Sequence, residues 1–300
     1  MCIALYGLHR RRNGARSYRA DTDCAAACPL RSDSGNGDWK VTALWNLPGF
    51  LDLPHRDVKP RRRGLTHVLD KGLSIGGLEA VLAQSGHLVD VLKIGWGIAY
   101  VDPAVKERVA MCHTADVTVC LGGTLLEVCA AQGQVDELRR WAIGIGVDAL
   151  EVSNGLQAMP AAQKTDLVRS LSTEFTVFAE VGAKSEDARV EATDWVAEME
   201  ADMGAGASWL VAESRESGTV GLYRADGSVR TGLVEAIAAR IPIDPVIFEA
   251  PKKAQQSWFV SRFGAEVNLG NVPPDEVLPL ETLRLGLRAD TAVSGASGRQ

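Results

Sequence analysis

The sequence predicts an α/β chain closed as a (β/α)8 barrel, and three observations carry that expectation. Eight short apolar runs recur along the chain at about 20 to 37 residues apart, the pace of successive βα units. The segments between them carry apolar residues at helical spacing. No GxGxxG turn follows the first run, so a closed barrel is favoured over a doubly wound dinucleotide-binding sheet.

The runs span residues 65–69, 89–92, 117–121, 149–152, 176–181, 209–212, 246–248 and 267–269. Between them, Leu78, Val81 and Leu82 share a helix face, as do Trp195, Met199 and Met203, and Val234, Ile237, Ala238 and Ile241. Thr193 reads as an N-cap, and Gly204 and Gly206 as helix stops. Residues 48–291 are therefore assigned to one catalytic barrel. Residues 1–47 mix Arg, Ser, Gly, Asn and Asp without sustained periodicity and are expected to be disordered or weakly packed. The Ser/Gly-rich residues 292–300 read as a flexible tail.

Composition excludes several function classes. The chain has 300 residues and a net charge of −6, unlike the basic surface of a nucleic-acid binder. No apolar run approaches the ~20 residues that cross a bilayer. The apolar start Met1 to Leu5 precedes the charges His9 to Arg12, the reverse of a secretory signal, so a cytoplasmic location is expected. Of six cysteines, Cys24 and Cys28 lack a matching second pair for zinc. A homo-oligomer remains open.

The chemistry is expected where the strands end, because right-handed crossovers bring every strand's C-terminal end to one rim. Four consecutive runs close on a carboxylate: Glu151, Glu180, Glu213 and Glu249. Like charges converging on one rim repel unless compensated. The compensators in sequence are Lys71, Lys93, Lys184, Arg215 and Lys252, with a divalent cation as a further one. Carboxylates and cations together suit a phosphorylated acid bound through Mg²⁺. Glycines after the strands, among them Gly95, Gly97, Gly122, Gly123, Gly182, Gly218 and Gly270, let backbone N–H groups approach an anion, or simply make tight turns. Trp96 reads either as a cavity wall or as a wedge in its loop. His67, within the first run, reads as a packed core residue rather than a ligand, and the triplet from Arg61 to Arg63 as a solvated charge run.

These motifs, in collinear order, resemble the phosphosulfolactate synthase family. The resemblance is carried by the stretch from Gly64 to Leu73 (GLTHVLDKGL), Lys93 to Gly97 (KIGWG), Gly122 to Glu127 (GGTLLE), Glu180 to Gly182 (EVG) and Glu213 to Gly221 (ESRESGTVG). Phe248 to Pro251, Gln255-Gln256, Asn268 to Asn271, Leu280 to Arg284 and Gly286 to Arg288 complete it, over about residues 48 to 291. Departures are Asn154 where many members carry Asp, Ala183 before Lys184 where they carry two lysines, and Lys252 where they carry Gln.

The resemblance implies a TIM barrel and a Mg²⁺-assisted conjugate addition of sulfite to phosphoenolpyruvate. It implies Lys184 as the proton donor, with Lys71 and Arg215 in the catalytic set. Lys93, Lys252, Asn268, Asn271, Ser217 and Gly218 are expected to bind substrate, and Glu151, Glu180 and Glu213 to hold the metal. Two alternatives stay open: a related barrel enzyme using another phosphoenol or nucleophile, and a non-catalytic relative of the heat-stress-associated type. Deleting residues 1–47 is expected to leave a soluble, cooperatively melting barrel by circular dichroism; expression only as aggregates would show that the segment packs against it.

Overall fold

The computed structural model describes residues 47–156, 159–182 and 191–292. The expected N-terminal extension and C-terminal tail therefore fall almost wholly outside the described residues, and so does Lys184. The barrel belongs to the unit Leu51–Gln300.

Eight parallel strands close in sequence order, β1 (Thr66–Asp70), β2 (Val91–Ile94), β3 (Thr118–Leu121), β4 (Ala149–Val152), β5 (Thr176–Val181), β6 (Trp209–Ala212), β7 (Val246–Glu249) and β8 (Asn268–Val272), with β8 pairing back to β1. The helices are α1 (Ile75–Ser85), α2 (Ile98–Val101), α3 (Val105–Thr114), α4 (Gly123–Ala131), α5 (Val135–Ile145) and α6 (Ala161–Leu171). They continue with α7 (Ala192–Ala205), α8 (Thr231–Arg240), α9 (Lys253–Phe263), α10 (Val277–Arg284) and α11 (Ala289–Ala292). The TIM barrel read from the repeat is the observed fold.

Strand alternation sorts each strand into two faces. Outward residues such as Val68, Leu92, Ile94, Val119, Leu150, Val177, Leu210 and Phe248 are buried beneath the helices. Inside, Val91, Cys120, Ala149, Phe178, Val211 and Ile247 form one packed layer. His67 joins this layer, stacked on Phe178 with ring centroids 5.7 Å apart. Two residues further along the same strands, the inward positions become Lys93, Glu151, Glu180, Glu213 and Glu249, all buried. The apolar layer is thus the floor beneath a polar one.

The helix ends follow local chemistry. Ser74 caps α1 by accepting from Gly77 N, and Gly146 and Gly206 end α5 and α7 in the left-handed conformation with φ of 84° and 108°. Thr193, expected as a cap, lies inside the first turn of α7, which begins at Ala192 after the cap residue Glu191. The expected face of α7 is also corrected. Met203 is exposed, and Asp202 is buried instead, because Lys164 of α6 reaches it at 2.7 Å while also binding Glu198 and the Glu180 carbonyl.

The N-terminal end of the barrel is closed by polar side chains that satisfy backbone groups. Arg284 donates to the carbonyls of Ala265, Val267 and Leu65, and Arg56 pairs with Glu281 at 2.9 Å. Arg61 is no solvated charge: it is buried, pairing with Asp90 and donating to the carbonyls of Asp57 and His87. Asn268 belongs to this end too. Its Oδ1 accepts from Leu65 N at 3.0 Å, and its Nδ2 donates to the carbonyls of Asp244 and Val246. The expectation that Asn268 binds substrate is corrected accordingly, since it opens β8 and stitches β8 to its neighbours with every polar atom engaged. Asn268→Ala strands buried backbone groups and is expected to cost about 3 kcal/mol by urea unfolding, with substrate KM unchanged. A raised KM at unchanged stability would return it to the substrate site.

Candidate active site

At the C-terminal ends of the strands a cavity of about 270 Å³ opens, lined by Lys93, Glu151, Glu180, Glu213, Glu249 and Asn271 from the strand ends. Loop residues Gly95, Trp96, Gly122, Thr124, Leu156, Ser214 and Arg215 complete its wall. This is the face on which (β/α)8 enzymes carry their chemistry.

Its centre is one ammonium among carboxylates. Lys93 Nζ lies 2.8 Å from Glu151, 2.9 Å from Glu249 and 4.0 Å from Glu180. Burial works against the ammonium, but attraction to Glu151, Glu249 and Glu180 outweighs it and holds the lysine pKa well above its ordinary value. Burial likewise pushes Glu151 up, yet Lys93 and the N–H of Gly123 bring it down to about 2. Glu249 ends above the ordinary carboxylate range, because burial and the neighbouring Glu151 charge exceed what Lys93 and Ser214 N return. His67 below is driven down to about 3 by burial and then by Lys93, and is neutral. The reading of His67 as a packed core residue agrees with its place in the floor.

Local backbone holds this cluster in position. Gly123 N, at the start of α4, donates to Glu151 Oε1 at 2.9 Å. A Cβ there would stand 2.3 Å from Ser153 Oγ, so the close approach itself requires glycine. Glu249 Oε2 accepts from Ser214 N at 2.7 Å. Glu127, wholly buried on α4, accepts from Ser153 Oγ and from Leu156 N, fixing the loop after β4 against the cavity. Tyr223 Oη donates to the Glu249 carbonyl at 2.6 Å.

The structure brings together seven of the charged and amide residues singled out in sequence: Lys93, Glu151, Glu180, Glu213, Glu249, Arg215 and Asn271. Lys71 and Lys252 are exposed beyond the ends of β1 and β7 and do not line the cavity. Ser217 is exposed and hydrogen-bonds Thr219, while Gly218 is buried in a turn whose carbonyl accepts from Gln255. Neither lines the cavity. Trp96 does, with φ of 49°, and is half exposed.

The carboxylates placed so that they could together hold a metal ion differ by one residue from the expected set. One oxygen each from Glu151, Glu180 and Glu249 lies within 4.8 Å of the others. Glu213 lines the same cavity but stands outside that trio. Lys93 bridges Glu151 on β4 and Glu249 on β7, and Glu180 on β5 lies 4.0 Å from its ammonium. The sequence carried the signal for Glu249 in its strand-terminal position, but strand ends alone do not say which carboxylates meet. The trio offers hard oxygen donors of the kind Mg²⁺ takes. Among the described residues one buried ammonium faces four buried carboxylates, whose charge a divalent cation would further offset.

Replacing Lys93 with Met removes the buried ammonium that bridges Glu151 and Glu249. It is expected to destabilise the protein by about 3–5 kcal/mol, read from urea unfolding in metal-free buffer. An unchanged midpoint would show that the carboxylates are neutralised by protons instead.

Residues 54–290 match the family model described as (2R)-phospho-3-sulfolactate synthase. The phosphosulfolactate synthase of Methanothermobacter thermautotrophicus is 40% identical over 244 residues, covering 79% of this chain and 95% of that protein. The phosphosulfolactate synthase of Bacillus subtilis is 36% identical over 244 residues, covering 80% and 97%. The heat-stress-associated protein 32 of Arabidopsis thaliana is 23% identical over 277 residues, covering 81% and 93%. With a barrel whose catalytic face carries this cluster and a match over most of its length, the chain belongs to the phosphosulfolactate synthase family of enzymes.

Proposed function

We propose that this chain adds sulfite to phosphoenolpyruvate to give (2R)-phospho-3-sulfolactate, with Mg²⁺ bound by Glu151, Glu180 and Glu249. The observation that carries the reading is the buried cluster of four glutamates around Lys93 at the barrel mouth, in a chain of this family. Gathering four carboxylates in one buried cavity costs free energy even with Lys93 among them, which disfavours a barrel without turnover.

The sulfur lone pair of sulfite forms a C–S bond to C3 of the substrate, and the displaced π electrons collect as an enediolate. A proton then arrives at C2, and the phosphate ester stays intact. Mg²⁺ supplies Lewis-acid stabilisation of the enediolate charge. Lys93 holds Glu151 and Glu249 in register and contributes a fixed positive charge beneath the reacting acid. Arg215, exposed where the cavity opens, meets the substrate's anionic groups. Lys71 and Lys252 on the surrounding rim raise the local concentration of anions. Leu69, Leu156 and Trp96 limit water at the reacting carbons. Lys184, which follows β5 in sequence, is the proposed donor to C2.

Purified protein with phosphoenolpyruvate, sulfite and Mg²⁺ is expected to form phosphosulfolactate, detected by mass spectrometry, and to stop with EDTA. Product formed with another nucleophile but never with sulfite would overturn the substrate assignment, and full activity after exhaustive chelation the metal. Lys184→Ala is expected to lower kcat by roughly 10² to 10⁴ with a smaller change in KM. Lys184→Arg should be equally poor, since a guanidinium keeps the charge but does not release a proton at neutral pH; rescue by Arg would reduce the lysine to a fixed charge.

A further inference from the structure

Asn271 carries two energetic costs on the wall of the cavity. It is 6% exposed and lies near the end of β8. Its Nδ2 donates to the Ser214 carbonyl at 3.2 Å, which turns the other end of the amide away from that contact. That other atom, Oδ1, is buried and accepts no hydrogen bond among the described residues. A buried acceptor left so costs about 1–3 kcal/mol. The backbone adds to this, because φ at Asn271 is 52°, in the left-handed region that asparagine tolerates better than most residues. Strain of this kind collects at functional positions.

The chemistry of the atom says what it awaits. Phosphate, carboxylate and sulfite present oxygens that accept, and an amide oxygen repels them. A cation or a donor satisfies it. Ser214, which anchors the Asn271 amide through its carbonyl, also holds Glu249 through its N–H at 2.7 Å. Asn271 and one member of the carboxylate trio are therefore tied to the same residue. Mg²⁺ takes hard oxygen donors at about 2.0–2.1 Å.

We infer that Asn271 Oδ1 is a neutral oxygen ligand of the divalent cation held by Glu151, Glu180 and Glu249. The inference rests on the metal reading above and extends it to a fourth protein ligand. A neutral donor adds an oxygen ligand without adding another negative charge beside Lys93. It also moves Asn271 from the substrate binders to the metal shell.

The test is Mg²⁺ binding to the substrate-free full chain by calorimetry, with Mn²⁺ paramagnetic resonance as a second probe. Asn271→Gly is the informative variant, because glycine keeps the left-handed backbone and removes the amide together with its hydrogen bond to the Ser214 carbonyl. It is expected to weaken Mg²⁺ binding roughly tenfold or more, with a thermal melt in EDTA at least as high as the wild type. Asn271→Asp, which restores an oxygen, is expected to bind Mg²⁺ at least as tightly as the wild type. Equal affinity of the wild type and Asn271→Gly would overturn the ligand while leaving the metal site standing. A wild type that binds neither ion would overturn the metal reading itself, and this ligand with it.

Discussion

A single ammonium buried among carboxylates governs the upper half of this barrel. Lys93 reaches Glu151 on β4 and Glu249 on β7 within hydrogen-bond distance, and Glu180 on β5 at 4.0 Å, so it joins strands that are not neighbours in the sheet. Without it, four buried glutamates would repel one another inside a low-dielectric interior. With it, two of them are fixed in place. The apolar layer below depends on the same arrangement. His67 stays neutral in that floor because burial and the nearby ammonium both oppose its protonation.

Stability and chemistry are separated along the barrel axis. At the N-terminal end, Arg284, Arg56, Arg61 and Asn268 are buried, and they spend their donors on the carbonyls that precede the strands or on partners such as Glu281 and Asp90. Burial, and after it the charge of Arg56, lowers the Arg284 pKa to about 9, a cost accepted for three backbone hydrogen bonds at the point where β8 meets β1. At the opposite end Asn271 Oδ1 is buried with no hydrogen-bond partner among the described residues.

The loops are held to the same plan. Glu127 on α4 fixes the loop after β4 through Ser153 and Leu156, while Gly123 on the same helix fixes Glu151. One helix thus sets both a carboxylate and the loop beside it. On the far side, Gln255 of α9 donates to Gly218 and accepts from Lys252 N, joining the loops after β6 and β7 that carry Arg215 and Lys252. Gly218 is glycine because its φ is 64° and because a Cβ would stand 2.6 Å from the Gln255 amide. Its part is to seat a loop rather than to touch a substrate.

The sequence by itself determined the barrel and its catalytic rim. Period-two burial, the even spacing of βα units and the right-handed crossover are local or topological rules, so eight apolar runs and their terminal carboxylates were enough to place Glu151, Glu180, Glu213 and Glu249 on one rim. Only the tertiary structure decided which of them meet. Convergence depends on where each strand sits around the ring and on what Lys93 reaches across it, and no spacing along the chain records a distance across a barrel. The same limit explains Asn268 and Asn271. They are three residues apart on one strand, and the sequence made both substrate binders, yet a rise of about 3.3 Å per residue leaves one at the N-terminal closure and the other on the cavity wall. Burial of Arg61 and of Asp202 was illegible for a related reason, because a charged residue turns inward only when a partner from a distant segment, here Asp90 or Lys164, is there to receive it.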